Sequence, residues 1–136
     1  MPFKFEKLEV WQLALDYIDL MYEIANQLPK GEDYNLRSQM IRAATSIALN
    51  IAEGSTGQTD VEQARFVGLA IRSTLETVAC QHLINRRKYF SNPALLLPAY
   101  SQAETLVAKL HNLRKAIAPE QKWLREEPGT YSTANE

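Results

Sequence analysis

Apolar residues recur every three or four positions along four segments of the chain, which is the period of an α-helix with one buried face. The first three segments cover residues 7–28, 34–53 and 60–89, and the fourth ends at Pro119. No segment has the alternating pattern of a strand. Mostly short connections between long amphipathic helices favour an all-α fold, and specifically an antiparallel, up-down-up-down four-helix bundle.

The first helix carries more apolar surface than a small bundle needs. One stripe contains Val10, Ala14, Tyr17, Met21, Ile24 and Leu28, and a second contains Leu8, Trp11, Leu15, Ile18, Tyr22 and Ala25. A helix on the rim of a bundle needs an apolar face little wider than about 100°. A centrally buried helix would explain the excess, but a bundle of four helices has little room to surround one of them. We therefore favour a protein interface, and with it a homo-oligomer.

The second helix has an apolar face beside a polar strip. The strip consists of Gln39, Arg42, Ser46, Asn50 and Glu53. We interpret it as a hydrogen-bonding seam that fixes the register of packed helices or protomers, with a catalytic site as the alternative. Arg37 is predicted to pair either with Asp33 or with an acidic residue of another protomer. Gly54 is read as the C-cap glycine that ends the helix.

The third helix begins with Thr59 and Glu62 in the spacing of a capping box. Its predicted inner stripe consists of Ala64, Val67, Ile71, Leu75 and Val78, and Gly68 and Ala79 are small enough to allow close helix approach. Two prolines leave the start of the fourth helix open. Asn92 before Pro93 resembles an N-cap followed by proline at the first helical position. Pro98 marks the alternative start, or a kink.

Length and composition indicate one domain. The chain has 136 residues, of which 46% are hydrophobic and 23% charged, as in ordinary soluble proteins. Residues 1–118 would form the bundle, and the polar residues 119–136 a tail with at most a short docked turn. No apolar run approaches the roughly 20 residues that cross a bilayer, and no signal peptide is evident, so a cytoplasmic protein is expected. The single cysteine, Cys80, reads as a small core residue.

Charge is segregated along the chain although the net charge is only −1. Residues 1–59 carry a net −3, residues 60–118 a net +4 and residues 119–136 a net −2. The basic half either binds a polyanion or pairs with the acidic face of another protomer. The candidate nucleic-acid-binding residues are Arg65, Arg72, Arg86, Arg87, Lys88, Lys109, Arg114 and Lys115, with Tyr89 and Phe90 as aromatic groups for base stacking.

The sequence contains no motif typical of a catalytic site or a metal centre. Di-iron bundles use Glu-x-x-His motifs, and neither His82 nor His111 follows a glutamate at that spacing. No serine lies on a glycine elbow near a histidine, and GSTG at 54–57 lacks the lysine of a phosphate-binding loop. We expect no enzymatic activity, no metal and no cofactor.

Three segments resemble the four-helix bundle family that includes proteins encoded by intervening sequences of bacterial 23S rRNA. They are FEKLEVWQLAL at 5–15, LRSQMIRAATSIALNIAEGS at 36–55 and FVGLAIRSTLE at 66–76. The accessory variability determinant of diversity-generating retroelements resembles this family more distantly. The resemblance implies a homopentamer around a central channel, and for the retroelement proteins it implies binding to nucleic acid and to a reverse transcriptase.

Two functional hypotheses follow. The leading hypothesis is a non-enzymatic homopentamer that serves as a binding or scaffolding module, with no membrane association. The alternative is an RNA- or DNA-binding accessory protein, partnering a reverse transcriptase through the basic residues of the third and fourth helices. The resemblance is slight in the fourth helix, and the chain is mildly acidic, whereas the retroelement accessory proteins present a strongly basic surface.

Overall fold

Four α-helices account for most of the protein in the computed structural model, which describes residues 3–56 and 59–119. The predicted tail lies outside these residues, apart from Pro119. The helices are α1 (Glu9–Asn26), α2 (Leu36–Gly54), α3 (Asp60–Arg87) and α4 (Leu96–Ile117), and short 3-10 turns occupy Lys4–Lys7, Lys30–Glu32 and Pro93–Leu95. No strand occurs in the described ranges, which confirms the all-α class. Because each helix packs against the next and α4 also packs against α1, the four surround a common core.

The core consists of one face from each helix. Its fully buried large side chains include Tyr17, Met21, Ile24, Met40, Ile47, Ile51, Ile84, Leu106 and Leu110. Cys80 is also buried, as predicted, and burial raises the pKa of its thiol. On α1 the buried residues are Val10, Ala14, Tyr17, Met21 and Ile24 of the first stripe, together with Ala25, the last residue of the second stripe. Apart from Ala25, the bundle therefore buries only the first of the two apolar stripes on α1.

Arg37 closes the end of α1. Its guanidinium donates hydrogen bonds to the carbonyl oxygens of Ala25 and Leu28, the second at 2.6 Å, and pairs with Asp33 at 2.9 Å. The last carbonyls of a helix have no partner within it, so a cation there satisfies them and complements the helix dipole. The predicted pairing with Asp33 is confirmed, and the contact with α1 is an addition that spacing alone does not reveal.

Gly54 does not act as a C-cap glycine, and this prediction is wrong. It is the last helical residue, and Ser55 follows with φ −90°. A Cβ on Gly54 would lie 2.9 Å from Phe66 Cβ and 3.3 Å from the Gln63 carbonyl oxygen. The physical requirement is therefore close contact between α2 and α3 rather than a left-handed backbone.

The inner face of α3 differs from the predicted stripe in its second half. Leu75 is 49% exposed, whereas Thr74 and Thr77 are fully buried. The Thr74 hydroxyl donates to the Ala70 carbonyl at 2.9 Å and the Thr77 hydroxyl to the Thr74 carbonyl at 2.6 Å. Because their own helix satisfies these hydroxyls, the threonines enter the core at little cost. The leucine is left outside.

Several helices begin or end at residues other than the predicted ones. Leu8 is extended and separates the first 3-10 turn from α1. The α3 helix ends at Arg87, because Lys88 adopts a left-handed conformation with φ 56°. The Thr59 hydroxyl accepts a hydrogen bond from the Glu62 amide at 3.0 Å, which confirms its role as N-cap. Residue 93 opens a 3-10 turn and α4 starts at Leu96, so neither proline begins it. Pro98 lies in the first turn of α4, where amides have no helical partner.

Candidate assembly and binding surfaces

The second apolar stripe of α1 lies beside the core rather than inside it. Trp11, Leu15 and Ile18 are half-buried, and Tyr22 is 42% exposed. Trp11 and Ile18 cover part of the core edge. The Phe5 ring meets the Trp11 ring edge to face with centroids 4.6 Å apart, which extends the apolar surface beyond the start of the helix. The folded chain thus leaves this stripe partly open to a partner.

An acidic seam borders the α1 stripe on its solvent side. Asp16, Asp19 and Glu23 are exposed. Asp16 accepts a hydrogen bond from Gln12 at 3.2 Å. The seam and the stripe together form a surface that is apolar along one edge and negatively charged along the other.

The polar strip of α2 divides into a seam and an exposed edge. Ser46 accepts a hydrogen bond from Ser73 Oγ on α3 at 3.0 Å, and the Asn50 amide donates to the Ser46 carbonyl and hydroxyl at 2.8 and 3.0 Å. Ser46 and Asn50 thus lie at the α2–α3 contact. Gln39, Arg42 and Glu53 are exposed instead, and Arg42 donates to Ser38 Oγ at 3.2 Å.

A shallow, open pocket lies between the end of α2 and the start of α3. Glu53, Thr56, Thr59, Glu62 and Phe66 line it. The Arg65 guanidinium binds the Glu62 carboxylate at 2.7 Å, which lowers the pKa of Glu62, and it also covers the Phe66 ring at 4.6 Å. The charge of Glu62 is therefore largely compensated within α3, and the pocket presents no constellation for catalysis.

The candidate nucleic-acid-binding residues of α3 and its C-cap are all exposed. Arg72 and Arg86 lie on the outward side of the helix. Arg87 lies closer to Glu32, whose pKa is lowered mainly by hydrogen bonds from Tyr89 and Leu36 and to a smaller extent by the charge of Arg87. Among the described residues, the ion pairs within 4 Å do not involve Arg72, Arg86 or Arg87. Arg72 and Arg86 therefore keep their charge available to a partner.

The basic residues of α4 lie on different sides of the helix. Lys109 pairs with Glu9 of α1 at 3.4 Å. Arg114 instead approaches Gly68 of α3, where an added Cβ would be 3.3 Å from its Nη1, and it bonds with His111 Nδ1 at 3.0 Å. Lys115 is exposed. Because Lys109 faces α1 and Arg114 faces α3, the eight basic residues do not line a single groove.

A buried polar chain links α1 to α3 through the middle of the core, and sequence reasoning missed it. The Gln81 amide bonds with Tyr17 Oη at 2.7 Å, and Tyr17 Oη lies 2.6 Å from Thr77 Oγ1. Thr77 uses its proton on the Thr74 carbonyl, so Tyr17 must donate to Thr77 and accept from Gln81. Gln81 Oε1 is buried without a partner. The sequence signal that could have revealed this chain is Tyr17, a tyrosine within an apolar helical stripe, together with polar residues on the inner side of α3.

Glu32 ties the α1–α2 connection to the end of α3. Its carboxylate accepts hydrogen bonds from the Tyr89 hydroxyl, from the Asn35 side chain at 2.9 Å and from the Leu36 amide at 3.3 Å. The bond from Tyr89 is the largest cause of the lowered pKa of Glu32, and the same bond raises the pKa of Tyr89. Tyr89, a candidate for base stacking, is thus engaged in holding the bundle end.

Residues 3–56 and 59–119 contain neither a metal-site geometry nor a membrane span. No group of three His, Cys, Asp or Glu side chains there has the geometry of a metal site. In the same ranges, none of the helices has both the length and the hydropathy of a membrane span. The distinctive features of the described chain are consequently packing seams and surface patches.

These features define an all-helical protein built around one four-helix core. The family model described as 23S rRNA-intervening sequence protein matches residues 6–117, a range that includes α1 to α4. The chain therefore belongs to the 23S rRNA-intervening sequence protein family, which is not a known enzyme family. No curated protein sequence matches the chain significantly.

Proposed function

We propose that the protein is a non-enzymatic, antiparallel up-down-up-down bundle that assembles as a homopentamer and acts as a scaffolding or binding module. The observation that carries this proposal is the division of α1 into two apolar stripes, of which the core uses one. Residual apolar surface of this kind is typical of protein interfaces. The resemblance to the accessory proteins of retroelements implies five subunits.

Contacts between helix ends support the antiparallel arrangement. Lys109, in the second half of α4, pairs with Glu9, the first residue of α1. This places the later part of α4 beside the start of α1. Short connections between α1, α2 and α3 fit the same topology, because helices joined by few residues pack as antiparallel neighbours.

Light scattering on the purified protein tests the assembly. The wild type should have the mass of a pentamer, and Tyr22→Asp should lower it, because a carboxylate buried without a partner in an apolar contact costs several kcal/mol. Ile18→Asp should do the same or unfold the chain, since Ile18 also covers the core edge. Leu97→Asp, which adds a charge at a position of α4 that is 76% exposed, is the matched control and should keep the wild-type mass. A monomeric wild type contradicts the proposal.

Nucleic-acid binding is the second candidate function, with a reverse transcriptase as the protein partner that the resemblance implies. The exposed arginines Arg72, Arg86 and Arg87, none of them in an ion pair among the described residues, favour it. Affinity for RNA should fall steeply with salt, in proportion to the phosphates neutralised.

Fluorescence anisotropy with a labelled RNA at increasing salt would measure this affinity. The triple change of Arg86, Arg87 and Lys88 to glutamine should weaken binding for all RNA sequences and reduce the salt dependence. The matched control changes Lys109 alone to glutamine, because Lys109 faces α1. Equal affinity of the triple variant and the wild type would exclude this cluster as the binding site.

A further inference from the structure

The outward side of α3 carries a continuous exposed stripe of apolar and basic side chains. The stripe, called here the α3 stripe, consists of Arg72, Leu75, Ala79, Leu83 and Arg86, and the exposed Glu76 lies beside it, four residues after Arg72. Leu75 is 49% and Leu83 51% exposed. Residues at spacings of three and four share one side of a helix, so with a rise of 1.5 Å per residue the stripe is about 21 Å long. About half of the surface of each of these two leucines therefore remains open within the described chain.

The charge of this stripe is opposite to that of α1. Between Glu9 and Asn26 the chain has four carboxylates and no lysine or arginine. Over the whole of α3 it has four arginines and three carboxylates, and two of these carboxylates, Asp60 and Glu62, lie in the first turn, ahead of the α3 stripe. On α1 the exposed carboxylates border the half-open apolar stripe, and on α3 the arginines flank the exposed leucines. Both surfaces therefore combine an apolar strip with charge, and the two charges are complementary.

We propose that the α3 stripe is the surface onto which the apolar stripe of α1 from a second copy of this chain docks. This inference rests on the proposed assembly through α1 and identifies the counterpart of that interface. Because the two faces differ, the contact is heterologous. Each copy then offers a free α1 face on one side and a free α3 face on the other, and only a closed ring satisfies all of them.

Ala79 gives the α3 stripe a shape that fits a helix. Within the protomer this small residue is exposed, so it does not serve a close approach of neighbouring helices of the same chain. Its side chain is the smallest of the stripe and lies between Leu75 and Leu83, so a large side chain such as Tyr22 would pack over it in a knobs-into-holes contact. Arg72 and Arg86, at the two ends of the stripe, then lie near the acidic seam of α1.

Apolar exposure favours a protein over a nucleic acid as the occupant of the α3 stripe. A polyanion neutralises arginines through its phosphates. It would not remove from water Leu75 and Leu83, which lie between Arg72 and Arg86. A surface that is both acidic and apolar would neutralise the arginines and also remove the leucines from water. The α1 helix offers such a surface.

Two variants that each block one face test the pairing by complementation. Tyr22→Asp blocks the α1 face, and Leu83→Asp blocks the α3 face at an exposed position. Each variant alone should be monomeric, with its dissociation constant raised tenfold or more. Mixed in equal amounts, they should form a 1:1 heterodimer, because the mixture retains one intact face of each kind. Sedimentation velocity measures the three samples, and circular dichroism verifies that each variant is folded.

Controls separate this inference from the assembly itself. Leu97→Asp is the matched control, since Leu97 is 76% exposed on α4 and lies outside both faces, and it should keep the wild-type mass. Leu75→Asp should repeat the effect of Leu83→Asp if the latter does not fold. If Tyr22→Asp is monomeric while Leu83→Asp and Leu75→Asp keep the oligomer, the α3 pairing is wrong and the assembly through α1 stands. If Tyr22→Asp keeps the oligomer, the proposed assembly fails as well.

Two further outcomes would overturn the pairing. Two monomeric variants that form no heterodimer when mixed would show that the α1 and α3 faces do not meet. A Leu83→Asp protein that keeps the wild-type mass but loses affinity for a labelled RNA would assign the α3 stripe to nucleic acid. Raising the salt concentration should weaken the heterodimer, because opposite charges at the rim of an interface are screened.

Discussion

The hydroxyl of Tyr17 on α1 lies 2.6 Å from Thr77 Oγ1 on α3, inside a core that is otherwise mainly apolar. Both residues are fully buried. Burial raises the pKa of Tyr17 to about 12, so the phenol stays protonated and able to donate even at alkaline pH. A buried hydrogen bond of this kind favours one relative position of the two helices, because a slip would leave the Tyr17 hydroxyl without its acceptor on Thr77.

Removing the Tyr17 hydroxyl should destabilise the protein. In Tyr17→Phe, Thr77 Oγ1 loses a donor and the Gln81 amide loses its acceptor, which costs about 1–3 kcal/mol. Urea denaturation monitored by circular dichroism measures the change. Tyr34→Phe is the matched control, since Tyr34 is fully exposed, and it should be neutral. The double variant Tyr17→Phe with Gln81→Leu should recover part of the loss; equal stability of Tyr17→Phe and wild type would exclude a structural role for the buried chain.

Adding a methyl group at Gly54 should also destabilise the protein. Its Cβ would come 2.9 Å from Phe66 Cβ, and such overpacking typically costs about 1–3 kcal/mol. Alanine has the better helix propensity, so the sign of the change shows which effect dominates, and we expect a net loss. Gly31→Ala is the control, because nothing lies within 4 Å of its added Cβ. A Gly54→Ala protein that melts above the wild type would refute the close α2–α3 contact.

Replacing Lys88 with glycine should stabilise the protein. Lys88 is the only non-glycine residue with positive φ, at 56°, in the described ranges. Glycine adopts this conformation without a Cβ penalty, so Lys88→Gly should gain on the order of 0.5–1 kcal/mol. Arg86→Gly, inside α3, should lose a similar amount. Thermal melting of both variants checks the opposite signs, and a common sign for both would contradict the C-cap assignment.

Stability should fall at acidic pH as Glu32 becomes protonated. Hydrogen bonds from Tyr89, Leu36 and Asn35 lower the pKa of Glu32 below its usual 4.5. A carboxyl with a depressed folded-state pKa contributes stability that is fully present above the unfolded pKa and is lost as the pH falls through the folded pKa. Glu32→Gln should therefore melt at a lower temperature at pH 7, and the difference from wild type should shrink below about pH 4.5. Glu104→Gln, at an exposed position of α4, is the control; a difference that does not depend on pH would contradict the assignment.

The sequence predicted the four helices because their apolar periodicity is long and regular. It also predicted Thr59 as an N-cap and the pairing of Arg37 with Asp33, since each depends on residues within one helical turn. The two stripes of α1 were visible as well. The positions of α2 and α4 decide which of the two stripes packs into the core, and no local pattern contains that information.

Positions with two chemically acceptable environments could not be predicted from the sequence. Thr74 and Leu75 are neighbours on α3, and hydrophobicity alone would bury the leucine. The neighbouring helices pack against the side of α3 that carries Thr74, and the threonine tolerates burial because its hydroxyl bonds to a carbonyl of its own helix. Gly54 has the same ambiguity, since a glycine at a helix end serves equally as a C-cap or as a point of close contact.

The sequence by itself therefore determined the number and approximate bounds of the helices, the N-cap at Thr59 and the segregation of negative charge in residues 1–59 from positive charge in residues 60–118. These properties depend on residues close together in the chain, where the helical period relates spacing to direction. Only the tertiary structure decided that Tyr17 forms hydrogen bonds with α3 inside the core and that Gly54 lies in close contact with Phe66. It also decided that Leu75 and Leu83 remain exposed. Each of these depends on the distance between helices, which is set by the packing of all their side chains together.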